Sequence, residues 1–265
     1  MLEPLPSLRA PLRPKPAFGR GLPAGAALRW LAAGWADLRS DPLPSLAYGV
    51  FLALLSYAVL YALHAAGLLY LALPAIAGFL IVGPFLAVGL YEKSRGRSEG
   101  RRVGLLQMVL VHPASGAQLA YAGLLLGLLI LFWLRAADLL YALFFGLAPF
   151  PGASLALTQV LTTPLGWMLI ATGTLVGGLF AAFAFAISVF SFPMLVARKT
   201  DALTAMGTSF AMTTQNLRPM LAWGAIVTAG QVLSALTGLV GLVVVFPVLG
   251  HATWHAWRAV EGAGS

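Results

Sequence analysis

Cysteine is absent from this 265-residue chain. Its absence removes disulfides, thiolate-bound zinc, iron–sulfur clusters and any thiol nucleophile together. Charge is nearly as scarce. Only 9% of residues are Asp, Glu, Lys or Arg, against roughly a quarter in a soluble domain that must cover itself in water-compatible side chains. Histidine occurs four times, as His64, His112, His251 and His255, which caps any haem or metal proposal. No Walker loop, no glycine fingerprint after a strand and no nucleophile elbow is present, so nucleotide chemistry and acyl transfer have no visible machinery. No catalytic residue is assigned, and the chain is expected not to be an enzyme.

What is abundant is apolar: 60% of the residues. Runs long enough to cross a bilayer, which needs about 20 helical residues, occur at 45–64, 70–91, 118–137 and 166–195. A double-length run at 219–257 divides at Thr237-Gly238. The expected fold is all-α, with six transmembrane helices. Ahead of them, residues 1–25 hold six prolines and four basic residues and read as a disordered basic tail. Residues 26–261 form one membrane domain.

Charge placement supports an even count. With six spans, fifteen of the sixteen Lys and Arg fall on one side and only Arg135 on the other, which places both termini in the cytoplasm of an inner membrane. Arg29, Arg39, Lys93, Arg95, Arg97, Arg101, Arg102, Arg198 and Lys199 are expected to meet anionic lipid headgroups; nucleic acid is not an expected partner.

The chain also repeats. Leu46-Ala47-Tyr48-Gly49, Leu119-Ala120-Tyr121-Ala122 and Leu221-Ala222-Trp223-Gly224 open the odd-numbered spans, and Pro84, Pro193 and Pro247 stand late in the even ones. Three units, 26–100, 101–200 and 201–261, are expected to pack about a pseudo-threefold axis. Each unit is a transmembrane hairpin preceded by an interfacial helix. In the first, Leu28, Leu31, Trp35 and Leu38 share one face; in the last, Leu203, Met206, Phe210 and Leu217 do. Pro74, Pro84, Pro193 and Pro247 should kink their helices. Gly123 with Gly127 and Gly173 with Gly177 are candidates for close helix approach. Residues 139–164, apolar and broken by Pro149, Pro151 and Gly152, should form an interfacial or re-entrant element.

Few residues suggest chemistry. His251 and His255, four apart on a helix, put both imidazoles on one face. They are expected to anchor the helix end or hydrogen-bond there; a haem or metal is the alternative, although Ala252 stands where a zincin motif has its Glu. Glu92 follows Pro84 at the distance at which His255 follows Pro247, which suggests a polar pair; pairing of Glu92 with neighbouring basic residues is the simpler reading. Arg135 and Asp138 should form a local ion pair. The span centres hold no Asp, Glu, Lys or Arg, which argues against a proton-coupled pump.

Residues 30–48, the Gly83-Pro84 to Tyr91-Glu92 stretch and the segment from Pro247 to His255 together resemble the bacterial integral membrane family called domain of unknown function 2189. The likeness covers nearly everything after the proline-rich tail. The resemblance implies a multi-span inner-membrane protein of unestablished activity, a family sometimes labelled cytochrome c oxidase subunit I-like. A haem–copper oxidase core uses six histidines, and this chain has four. The leading expectation is therefore an interaction or scaffold protein, such as an accessory subunit of a respiratory or photosynthetic complex. The alternatives are a passive channel or carrier for a small neutral or lipidic solute, and a haem- or metal-binding protein.

Overall fold

A computed structural model describes residues 18–146 and 152–262; residues 1–17, with most of the tail, and Pro149 and Pro151 lie outside them. The described residues form helices and no strand: α1 (Ala26–Ser40), α2 (Pro42–Ala65), α3 (Ala72–Leu86), α4 (Val88–Ser98), α5 (Leu105–Val109), α6 (Gly116–Phe145), α7 (Ala153–Thr162), α8 (Pro164–Ser188), α9 (Ser191–Ala197), α10 (Ala202–Thr214), α11 (Leu217–Leu236) and α12 (Leu242–Glu261). Among the described residues, five stretches are long and apolar enough to cross a membrane: Pro42–Ala65, Ala72–Ser98, Gly116–Phe145, Pro164–Ala197 and Leu217–Leu236. The sixth expected span, α12, is not among them. Its 20 residues include His251, Thr253, His255, Arg258 and Glu261, which lower its apolarity although most of the helix is buried.

Two of the four prolines expected to kink their helices stand beside breaks, while Pro247 lies inside α12, which runs unbroken from Leu242 to Glu261. Pro84 lies inside α3, which stops at Leu86, and its missing N–H leaves the Leu80 carbonyl without a helical partner. The Leu86 carbonyl accepts from the Tyr48 hydroxyl at 2.8 Å. A second interruption separates α8 from α9 just ahead of Pro193. There Ser209 of α10 accepts from the Phe190 N–H at 3.1 Å and donates to the Ala186 carbonyl at 2.8 Å. Pro74 does not kink its helix. It stands in the first turn of α3, where no intrahelical N–H bond is due.

α12 is the hub: α1, α2 and α4 pack closely on it, with α11 alongside. Two glycines make this possible. A Cβ on Gly34 would stand 2.5 Å from the Val248 carbonyl oxygen, and one on Gly49 would stand 2.3 Å from that of Val243. Of the expected glycine pairs, one member of each is used: Gly123 seats the Phe85 ring and Gly177 the Trp133 ring, while Gly127 and Gly173 face open space. α3 packs on α6 and α8, α5 on α4 and α2, and α10 on α8 and α9. An apolar cavity of about 70 Å³ is lined by residues of α3, α8, α11 and α12, including Phe79, Phe185, Trp223 and Gln231.

Of the two helices expected to lie in the interface, α1 buries Ala27, Trp30, Gly34, Asp37 and Leu38 and leaves Leu28 and Trp35 exposed; α10 buries Ala202, Ala205, Met206, Ser209 and Met212 and exposes Leu203 and Phe210. Of 139–164, the first part extends α6 to Phe145, and α7 packs against α8.

Residues 18–25, assigned from composition to the free tail, are docked. Arg20 donates from Nε to the Val260 carbonyl at 2.9 Å and from Nη2 to that of Glu261 at 2.8 Å, filling carbonyls orphaned at the end of α12. The Arg20 amide donates to Asn216 Oδ1, and Asn216 Nδ2 donates to the Phe18 carbonyl. Arg20→Ala should speed hydrogen exchange in the last turn of α12 with little change elsewhere; unaltered exchange at Val260 to Gly262 would contradict this docking.

Candidate functional site

A buried polar cluster forms where α1, α2, α4 and α12 meet. Asp37 is brought there by the stripe Trp30, Gly34, Asp37, because the absence of a side chain at Gly34 lets α1 lie against α12. Ser45 comes from the first turn of α2, Lys93 and Ser94 from α4, and His251 and His255 from α12. Exposure is 5% for Asp37, 7% for Lys93, 2% for Ser94 and 0% for both Ser45 and His251. Groups this dry must satisfy one another.

They do so as a chain. Lys93 Nζ donates to Ser45 Oγ at 2.9 Å, and Ser45 Oγ lies 2.9 Å from His251 Nε2. His251 Nδ1 lies 2.8 Å from Ser94 Oγ, which donates to Asp37 Oδ2 at 2.6 Å. An ammonium can only donate and a carboxylate can only accept. The proton order that leaves no donor idle therefore runs one way: Lys93 to Ser45, Ser45 to His251 Nε2, His251 Nδ1–H to Ser94, Ser94 to Asp37. His255 Nε2 meets the same Asp37 Oδ2 at 2.9 Å, and Arg97 Nε meets Oδ1 at 3.2 Å. Lys93 also donates to the Asp41 carbonyl oxygen and lies 3.4 Å from its carboxylate.

The cluster joins two serines, two histidines and a carboxylate; Ser45 is fully buried and engaged by Lys93 and His251, and Ser94 is engaged by Asp37 and His251. Both ring nitrogens of His251 are engaged within the protein, which leaves it none for a metal or haem iron. Among the described residues no group of three or more His, Cys, Asp or Glu could hold a metal ion.

The suggested Glu92–His255 pair does not form, and the simpler reading, pairing of Glu92 with neighbouring basic residues, holds. Glu92 lies 3.5 Å from Arg95 and 3.2 Å from Arg101, while His255 turns to Asp37. Equal spacing from a proline fixes the depth of a residue, not the direction in which it points. The headgroup set also divides. Lys93 is buried; Arg95 is taken by Glu92, Glu99 and the Val196 carbonyl, Arg97 by Asp37, Arg101 by Glu92 and Glu99, and Arg198 by Glu261. Arg29, Arg39, Arg102 and Lys199 are exposed and carry no ion pair among the described residues. A count of cations alone passed over the carboxylates gathered at the same end. Arg135 and Asp138 pair at 3.4 Å, as their spacing implied.

Burial pushes the Asp37 carboxyl up, but hydrogen bonds from His255 and Ser94 and the charges of both histidines outweigh it and hold the group below its ordinary 3.8. A depressed carboxyl stabilises the fold fully above its unfolded value and loses that contribution as pH falls through the folded one. Thermal stability should therefore decline as pH is lowered below about 4, and Asp37→Asn should flatten this acid limb. An identical acid limb in the variant would assign the effect elsewhere.

The DUF2189 family, described as a predicted integral membrane protein, matches residues 72–197. The DUF2189 stretch runs from α3 through α9 and is shorter than the likeness expected from the sequence. It contains Lys93, Ser94 and Arg97, whereas Asp37, Ser45, His251 and His255 come from outside it. No curated protein and no solved structure matches the chain.

Proposed function

We propose that this integral membrane protein crosses the inner membrane six times with both ends in the cytoplasm, as three hairpin units, and serves as a non-enzymatic interaction scaffold. Support for the even count comes from contacts that gather one end of each span on one face. Ser45, at the start of α2, reaches His251 of α12 and Lys93 of α4. Arg95 reaches the Val196 carbonyl, which also accepts from the Ala114 N–H just ahead of α6. Arg198 pairs with Glu261, and Arg20 links Asn216, at the start of α11, to the end of α12. If α11 crosses, α12 must return beside it. The excess of Lys and Arg on this face favours the cytoplasm. Arg29, Arg39 and Lys199 would meet anionic headgroups there at about 1 kcal/mol each, with exposed Leu28, Trp35, Leu203 and Phe210 in the interface.

The observation that carries the scaffold reading is the mutual pairing of the polar cluster. The groups able to do chemistry are spent on one another and join helices from the first and last units. A protein so built offers its surface rather than a reaction centre, in keeping with an accessory subunit of a larger complex. Extraction in mild detergent followed by native mass measurement should give an assembly heavier than the 27.8 kDa chain containing a different polypeptide in fixed stoichiometry. A lone chain across a series of mild detergents would contradict the reading.

A further inference from the structure

A cleft of about 180 Å³ opens beside the polar cluster. Its floor is Asp37, Lys93, Ser94 and His251, already satisfied; its rim carries Arg97, Arg101 and Arg102. The Schellman turn that ends α4 puts the last two there. Gly100 adopts φ +72°, the Gly100 N–H bonds to the Arg97 carbonyl, and the Arg101 N–H bonds to the Gly96 carbonyl at 2.8 Å. We propose that this cleft binds a phosphomonoester, such as the headgroup of an anionic lipid.

Charge and donor counts carry the assignment. The carboxylates of Asp37, Asp41, Glu92 and Glu99 face five cations: Lys93, Arg95, Arg97, Arg101 and Arg102. One positive charge is left over, and Arg102 is the cation with no ion pair among the described residues. Each guanidinium has five N–H donors. Arg97 commits Nε to Asp37, and Arg101 commits Nε and Nη2 to Glu99 and Glu92, so both keep donors for a further oxyanion. Three guanidiniums lining one cleft suit the three terminal oxygens of a monoester better than the two of a diester. A lipid source gains from the apolar surface next to the cleft. Val103 lines it, and exposed Leu106 and Val109 follow on α5, where an acyl chain could lie.

The lipid source rests on the proposed cytoplasmic orientation; occupancy of the cleft by phosphate does not. The test uses the full chain in phosphatidylcholine nanodiscs, with binding read by phosphorus NMR. One arm adds phosphatidic acid to the disc, a second phosphatidylserine, and a third inorganic phosphate in solution. Arg102→Gln touches no ion pair and should weaken phosphatidic acid binding about tenfold, while Lys199→Gln, a cation outside the cleft, leaves it unchanged. Preference for phosphatidic acid over phosphatidylserine, not displaced by inorganic phosphate, identifies a lipid site; displacement identifies a site for the free anion. Equal binding of both lipids, unmoved by Arg102→Gln, means diffuse surface charge and overturns the proposal. Because nanodiscs expose both faces, a wrong orientation would leave this result intact and would appear only in topology measurements.

Discussion

Asp37→Ala should be the most damaging single polar substitution in the protein. It removes a carboxylate that meets Ser94, His255 and Arg97 at once and is only 5% exposed, leaving Lys93 buried against a weaker counter-charge. Breaking a buried charged network by deleting one partner costs about 3–5 kcal/mol, on the order of 10 °C in the thermal midpoint for a chain of this size. Unfolding in detergent followed by near-ultraviolet circular dichroism measures it. A shift within about 1 kcal/mol of the parent would mean that the cluster behaves as an ordinary set of surface pairs. The same experiment on Arg29→Ala, an exposed α1 residue without an ion pair among the described residues, sets the baseline.

Gly49→Ala should destabilise by about 1–3 kcal/mol, although alanine is the better helix former. The new Cβ would stand 2.3 Å from the Val243 carbonyl oxygen and 2.9 Å from its carbonyl carbon and Cα. These are backbone atoms that no side-chain rotation can move, so α2 must back away from α12. Gly34→Ala meets the Val248 carbonyl and the Ala252 amide in the same way. Gly127→Ala should do the opposite. Nothing lies within 4 Å of its Cβ, and replacing a mid-helix glycine stabilises by about 0.5–1 kcal/mol. Thermal unfolding of the three variants tests the sign. Gly49 and Gly127 variants that moved together would contradict the close approach of α2 and α12.

Helix positions were legible in the sequence because the apolar runs and their breakers mark them. Thr237-Gly238 falls in the turn between α11 and α12, and Pro84 and Pro193 stand beside real interruptions. The inward faces were not legible. Lipid is as apolar as leucine, so apolarity alone does not say which residues of α1 and α10 turn inward: Trp30, Leu38, Met206 and Met212 do, while Leu28, Trp35, Leu203 and Phe210 do not. Following Leu28, Leu31 and Trp35 leads away from Asp37, although Leu38 of the same set is buried. A usable signal was present: Asp37 continues the spacing of Trp30 and Gly34, and an acid on a small-residue stripe is conspicuous in a chain with only eight Asp and Glu. His251 and His255 were readable as a pair on one face, but their partners come from helices far apart in the chain. No local spacing could name Ser45, Ser94 or Asp37. Lys93 reads in the sequence as a wet helix-end cation; the start of α2 folds over it and makes it a buried donor.

The lack of cysteine makes the central claim directly measurable, since single cysteines can be placed against an empty background. Ala66→Cys lies between α2 and α3, Thr237→Cys between α11 and α12, Ser98→Cys at the last residue of α4, and Thr200→Cys just after α9, the latter two at the opposite end of the bundle. In sealed cells treated with a membrane-impermeant maleimide, Ala66→Cys and Thr237→Cys should be labelled from outside. Ser98→Cys and Thr200→Cys should react only after lysis. If Ala66→Cys and Thr237→Cys reported different compartments, or if Ser98→Cys and Thr200→Cys did, the six-crossing architecture around the Asp37 cluster would be wrong.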